Sequence, residues 1–304
     1  MCMYTYSIII PHKNIPKLLQ RCLDSIPRRE DTQIIVVDDN SDPAKVDFAH
    51  FPGLNDASVE VYFDKSGKGA GRARNVGLEH AKGKWLIFAD ADDYFYPNAF
   101  DVIDEKIAEA DYDIIYFYCN SRDGETGELI EDRVSTIKQG IEEKNYDLLR
   151  YRSYVPWGKV VNSNLINSYG IKFDEVEVSN DVMFSALVGY YSKKIGIISQ
   201  CLYCCTRNQG SLVFTQSITR IKKRLIVARR VNDFLYKKNI VGYHVPTEPL
   251  VILFFPRHPI MFIWGFFYGV YKDDRKNYFL EMSKRLYEGI LGRILRRNLF
   301  TSRI

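Results

Sequence analysis

Residues 81–93 read AKGKWLIFADADD. Trp85 to Ala89 form a short apolar run without alternation, and carboxylates follow it at once. Such a run predicts a strand covered on both faces. Asp90, Asp92 and Asp93 would then occupy the turn at its carboxyl end.

The residues N-terminal to this run repeat the design. Tyr4 to Ile10 is a β-branched run ending at Pro11. Asn14 is placed to cap a helix whose first turn accepts Pro16. Ile15, Leu18, Leu19, Cys22, Leu23 and Ile26 fall on one helical face, and Pro27 ends it. Gln33–Val37 and Val59–Phe63 read as further strands, and Gly71–Ala81 as a helix. Beyond the acidic turn, 98–110 predicts a helix with Phe100, Ile103 and Ile107 inward. Residues 113–119 predict another strand, and Ile197 to Cys205 a later buried one. The alternation implies an α/β fold with a doubly wound, mostly parallel sheet. Ligands in such sheets bind beyond the carboxyl ends of the strands. His12, Lys13 and Asn14, then Asp38 and Asp39, then Asp90, Asp92 and Asp93 should therefore meet on one rim.

The bulk composition is that of a globular protein. The chain has 304 residues, 46% of them hydrophobic and 26% charged. A net charge of +4 gives no case for nucleic acid as a partner. Cys201 and Cys204 have metal-like spacing, but no second pair or nearby His completes a zinc site. Six cysteines without that pattern fit a reducing compartment. No basic-then-apolar leader precedes the first strand, so a cytoplasmic enzyme is expected.

Each rim segment has its own chemistry. Two carboxylates spaced by one residue in Asp90-Ala91-Asp92-Asp93 can offer oxygens to a divalent cation and to a ribose. Hard oxygen ligands suit magnesium or manganese. Such a cation neutralises the charge that builds when a sugar–diphosphate bond breaks. In Val36-Val37-Asp38-Asp39-Asn40-Ser41-Asp42, an Asp at a strand end can accept from a base or ribose; an Asx turn is the plainer alternative. Gly67-Lys68-Gly69-Ala70-Gly71 permits close backbone approach, and Arg72 and Arg74 can pair with phosphate or stack on a base. This loop follows the third strand and lacks G-x-G-x-x-G spacing, which argues against an NAD-dependent oxidoreductase. A sugar-nucleotide-forming nucleotidyltransferase would carry its glycine loop after the first strand, where this chain has the Pro11 turn.

These segments, in this order, resemble family 2 glycosyltransferases, the inverting group with a GT-A fold. The matching stretches are Ser7 to Asn14, Ile34 to Asp42, Gly71 to Leu78, and Ala81 to Asp93. A weaker match continues through Trp157-Gly158-Lys159, Asn180-Asp181, and Arg207 to Ser211. The resemblance implies a nucleotide-sugar donor with uridine diphosphate as carrier, and a glycan or lipid-linked acceptor in polysaccharide or glycolipid synthesis. It places Pro11 and Asp39 in the base pocket, Arg72 on base or phosphate, Asp90 on ribose, and Asp92 on manganese or magnesium. His12, Asn14 and Ala91 join the nucleotide-sugar contacts. Asp181 matches the general base, which takes the acceptor proton as the hydroxyl attacks opposite the leaving nucleotide. The chain departs from the family at Asn180, where Glu is usual, and at Lys13, where an aromatic is usual. Asp181 also reads as a helix-start carboxylate. A non-catalytic relative that only binds sugar nucleotide is the remaining alternative.

The expected organisation is a catalytic domain over 1–218 and a helical, basic and aromatic appendage over 219–304. Leu250 to Phe255 and Ile260 to Val270 are very apolar, but Pro256-Arg257-His258-Pro259 separates them. Each half is shorter than the roughly 20 residues needed to span a bilayer. Two arrangements fit: a packed helical pair, or a peripheral membrane contact with Phe262, Trp264, Phe266, Phe267 and Tyr268 among headgroups. The basic stretch Lys284 to Arg303 suits anionic lipid.

Overall fold

The computed structural model describes residues 4–130, 134–207, 217–254, 257–269, 279 and 282–283. Its elements run β1 (Tyr4–His12), α1 (Pro16–Asp24), β2 (Thr32–Asp39), β3 (Val59–Asp64), α2 (Ala70–His80), β4 (Gly83–Phe88) and β5 (Tyr94–Phe95). There follow α3 (Ala99–Glu109), β6 (Ile114–Asp123), α4 (Ser135–Glu142), α5 (Tyr146–Arg152), β7 (Lys159–Asn162), α6 (Ser163–Tyr169), α7 (Val182–Tyr191) and β8 (Ile195–Arg207). The last helices are α8 (Ile218–Lys237), α9 (Glu248–Ile252) and α10 (Pro259–Gly269).

The strands form one sheet in the order β3-β2-β1-β4-β7-β6-β8-β5. β3, β2, β1 and β4 are all parallel, as the apolar runs predict. Every residue of β2 is buried, because helices cover both faces of this half. β7 is antiparallel to both β4 and β6, β6 pairs parallel with β8, and β5 runs antiparallel to β8. The sheet is therefore mixed, parallel in its N-terminal half.

The chain passes from β1 to β2 and β3 on one side, then returns to β4 on the other. This reversal is a topological switch point at the ends of β1 and β4, the place where doubly wound sheets bind ligands. α2 lies close over β1, since a Cβ on Gly77 would sit 2.4 Å from the Ile9 side chain.

Asn14 does not cap α1. Ile15 holds the N-cap position without a side-chain cap bond, and Asn14 takes a left-handed φ of 62°. Its N–H donates to Ser41 Oγ (2.8 Å) and its Oδ1 accepts from Asp42 N–H (2.7 Å). Pro16 at the helix start has no N–H to offer, which lowers the demand for a cap.

The chain divides into two compact units, Met1–Thr215 and Gln216–Ile304. In the second, Ile221, Leu225, Val251, Phe254 and Met282 make a small core. Among the described residues no helix is long and apolar enough to cross a membrane. Phe255, Pro256, Val270, the basic stretch 284–303 and residues 208–211 lie outside the described residues.

Candidate active site

The three rim segments meet at the carboxyl ends of β1, β2 and β4, and buried polar side chains fix each of them. His12 is buried at the end of β1. Its Nε2 accepts the Ile15 N–H (3.1 Å), so the proton sits on Nδ1, which donates to Asp38 Oδ1 (2.8 Å). Asp38 also accepts from the Ser41 hydroxyl and N–H. Burial pushes the Asp38 carboxyl up, but the His12 and Ser41 hydrogen bonds outweigh it and hold it below the usual carboxylate range. Both nitrogens of His12 are thus used inside the protein. It thereby ties the end of β1 to the end of β2. Pro11, also buried, pairs with Val37 across β1 and β2.

Asp39, at the end of β2, is also buried. Its Oδ1 accepts the Gly69 N–H (2.9 Å), tying the glycine loop to the rim. Its Oδ2 accepts from Lys13 Nζ (2.8 Å), so the lysine that replaces the usual aromatic lies over this carboxylate.

The two arginines of α2 separate. Arg72 lies on the outer edge, 3.5–3.6 Å from carboxylate oxygens of Asp64, Glu79 and Glu175. Arg74 is buried; its Nη2 donates to Asp90 Oδ1 (2.6 Å) and its Nη1 to Asn180 Oδ1 (2.9 Å). Its guanidinium lies over the Phe173 ring (5.4 Å). Arg74 therefore bridges the acidic turn and the 180–181 segment. With Glu at 180 it would face two carboxylates; the neutral amide leaves its charge to Asp90.

Asp90, Asp92 and Asp93 can each offer an oxygen within 4.8 Å of the others. Asp93 is nevertheless engaged inward, accepting from Thr206 N–H (2.7 Å) and the Tyr203 hydroxyl (2.9 Å). Burial, then the charges of Asp92 and Asp90, push its pKa well up. The Asp90 N–H donates to Tyr203 Oη (2.9 Å), and the Asp92 carbonyl accepts from Arg21 and Thr206. Asp93 thus anchors the turn, while Asp90 and Asp92 are only partly buried. Ala91 is buried between them. Among the described residues this is the one cluster that could hold a metal ion, and the five described cysteines are free thiols.

Asp181 stands at the N-cap of α7, yet its side chain makes no cap hydrogen bond. Burial raises its pKa; Arg74 and Lys159 oppose the rise and Asp90 adds to it. A carboxyl with a raised pKa that does not cap its helix is suited to receive a proton. Lys159 is 1% exposed. Its Nζ donates to Ser153 O and Val155 O (both 2.7 Å) and to Ser185 Oγ (3.0 Å). Ser185 lies one helical turn after Asp181, its N–H bonded to the Asp181 carbonyl (2.9 Å). The residues missed from sequence are Arg21, Tyr203 and Thr206, which hold the acidic turn, and the bridging role of Arg74. Only the Trp157-Gly158-Lys159 match pointed toward Lys159.

Residues 7–165 match the glycosyl transferase family 2 profile. The chain is 28% identical over 215 residues to the glycosyltransferase EpsJ of Bacillus subtilis (strain 168), covering 68% of this chain and 62% of EpsJ. It is 26% identical over 223 residues to glycosyltransferase GlyA of Streptococcus pneumoniae, covering 68% of this chain and 31% of GlyA. It therefore spans less than two thirds of either relative. The minor teichoic acid biosynthesis protein GgaB of Bacillus subtilis is 27% identical over 279 residues, 84% of this chain and 29% of GgaB. In fold it is similar to Staphylococcus aureus TarS 1-349 in complex with UDP-GlcNAc, with a TM-score of 0.62 and 19% identity over 90% of this chain and 78% of that one.

Proposed function

This chain belongs to glycosyl transferase family 2, and from that membership we propose that it moves a sugar from a nucleotide-diphosphate donor to an acceptor hydroxyl with inversion. One observation carries the reading: the Asp90–Asp92 turn is joined through Arg74 to Asn180, the neighbour of the proton-accepting candidate Asp181. Donor and acceptor ends of the reaction thus share one buried guanidinium.

Asp39 and Pro11 would receive the base once Lys13 swings aside; Lys13 is half exposed and free to turn toward a phosphate. Arg72, on the outer edge, would reach base or phosphate. Asp90 would accept from ribose. The donor set fits a hard divalent cation: clustered carboxylate oxygens with no thiol or imidazole among them. Asp92, with Asp90 beside it, would hold manganese or magnesium, which supplies charge neutralisation of the leaving diphosphate. Asp181 would take the acceptor proton, its raised pKa making it the stronger base.

Uridine diphosphate is favoured as carrier by the fold's likeness to a TarS structure that holds UDP-GlcNAc. A polysaccharide or lipid-linked glycan is favoured as acceptor by the teichoic acid relative. A cytoplasmic site, with peripheral contact to the membrane through 249–304, would give access to such an acceptor. Calorimetric titration with UDP, GDP and NAD, each with and without manganese, tests the donor half. Manganese-dependent UDP binding that vanishes in Asp92→Asn is the expected result; binding of NAD alone would overturn it.

A further inference from the structure

The two compact units carry opposite charge. Residues 1–215 hold 24 Lys and Arg against 32 Asp and Glu, a net −8; residues 216–304 hold 18 against 6, a net +12. The modest +4 of the whole chain conceals this separation. A concentration of positive charge in one unit draws anionic surfaces to it.

The second unit also exposes an apolar stripe. On α10, Ile260, Ile263 and Phe267 are 81%, 57% and 73% exposed. They recur at i, i+3 and i+7, so they share one face. Gly265 and Gly269 on that helix are buried, and Gly265 packs against Phe254 and Val251. Thr247 fixes the end of α10 by donating to the Gly269 carbonyl (3.0 Å). The stripe therefore points away from the unit's core because the opposite side is already committed.

Cations and amphipathic rings edge the stripe. Lys222 Nζ lies over the Trp264 ring (5.2 Å), joining α8 to α10. Ile218 and Ile226, one turn to either side of Lys222 on α8, are 37% and 42% exposed. Arg257 is exposed two residues before α10. Isoleucine and phenylalanine in the middle, with Trp, Lys and Arg at the edge, match the depth profile of a bilayer interface. At 11 residues, α10 is about 16 Å long, near half a hydrocarbon core, so it would lie in the surface and not cross it.

We propose that the second unit docks on an anionic lipid bilayer through Ile260, Ile263 and Phe267 of α10, with Lys222 and Arg257 meeting lipid phosphates. Nucleic acid would leave the apolar stripe without a partner, and a second copy would bring two +12 units together. The docking deepens the peripheral contact proposed above and rests on that reading for the acceptor's place, but not for the chemistry at Asp92 or Asp181.

The test uses the full chain with vesicles of phosphatidylcholine, with and without phosphatidylglycerol. Trp85 and Trp157 are buried, so a blue shift in emission on adding vesicles reports Trp264. Wild type should sediment with the anionic vesicles, bind the neutral ones far less, and release as salt rises. Ile263→Asp with Phe267→Asp should weaken that binding by roughly tenfold or more. The variant should keep the wild-type thermal transition and its UDP titration, which separates failure of docking from failure of the donor reading. Wild type that ignores anionic vesicles, or a variant that binds them equally, would overturn the proposal. So would a wild-type dimer that the substitutions convert to a monomer, since the face would then serve self-association.

Discussion

Lys159→Met should remove a pH dependence of stability that a single buried ammonium builds into the first unit. Lys159 has hydrogen bonds only to neutral acceptors, two carbonyls and a hydroxyl. Burial pushes its pKa down from the ordinary 10.5 to about 7, although the charge of Asp181 pulls the other way. The folded pKa lies below the unfolded one. Between these values the unfolded chain holds a proton that the folded chain has released. Stability therefore rises with pH across that window and is lowest, for this group, below about 7. The slope approaches about 1.4 kcal/mol per pH unit, which integrates to roughly 1.6 kcal/mol between about pH 7 and 8.5. Methionine has similar length and no charge, so this contribution vanishes. The carbonyls of Ser153 and Val155 lose their donor, a cost of about 1–3 kcal/mol each that does not vary with pH. The assay is urea unfolding of both proteins at a series of pH values, reading the transition of the first unit. Wild type should gain on the variant as pH rises. Parallel lines would refute the reasoning, because the ammonium would then be as stable inside the fold as in water.

Other substitutions separate the roles at the rim. Asp92→Asn should abolish transfer and remove the manganese-dependent part of UDP binding, measured by calorimetry; unchanged titration would exclude it as the metal ligand. Asp181→Asn should lower the transfer rate by roughly 10²–10⁴-fold while leaving UDP affinity near wild type; full activity would exclude it as the base. Tyr203→Phe removes the hydroxyl that serves both the Asp90 N–H and the Asp93 carboxylate. It should cost about 1–2 kcal/mol in chemical unfolding and weaken the metal-dependent titration; a loss in stability alone would show that the turn keeps its shape without it.

The parallel half of the fold was legible because strands covered on both faces must be apolar throughout. Tyr4–Ile10, Gln33–Val37 and Trp85–Ala89 are close to such runs, and each became a strand; Val59–Phe63 also became one, but at the sheet edge, where only Val59 is buried. β7 was not legible. It has four residues, begins with a buried lysine, and is held by β4 and β6, more than 35 residues away. Its pairing depends on those partners and on no local pattern. Asn14 misled for a related reason: its side chain found a backbone donor at Asp42, 28 residues away, instead of the adjacent helix.

By itself the sequence determined the β–α order and placed the carboxylates at strand ends, since both follow from local composition and spacing. Family membership could be anticipated from the same segments. The tertiary structure alone decided which of the rim side chains are drawn inward to hold others in place and which stay partly exposed. Asp92 and Asp93 are neighbours in sequence, yet the Asp93 carboxylate is drawn inward by Tyr203 and Thr206 from β8, at least 110 residues later. Arg72 and Arg74 are two apart, yet Arg74 alone reaches both Asp90 and Asn180. Such choices turn on hydrogen bonds between distant segments, and the crossing order of the strands sets which segments meet.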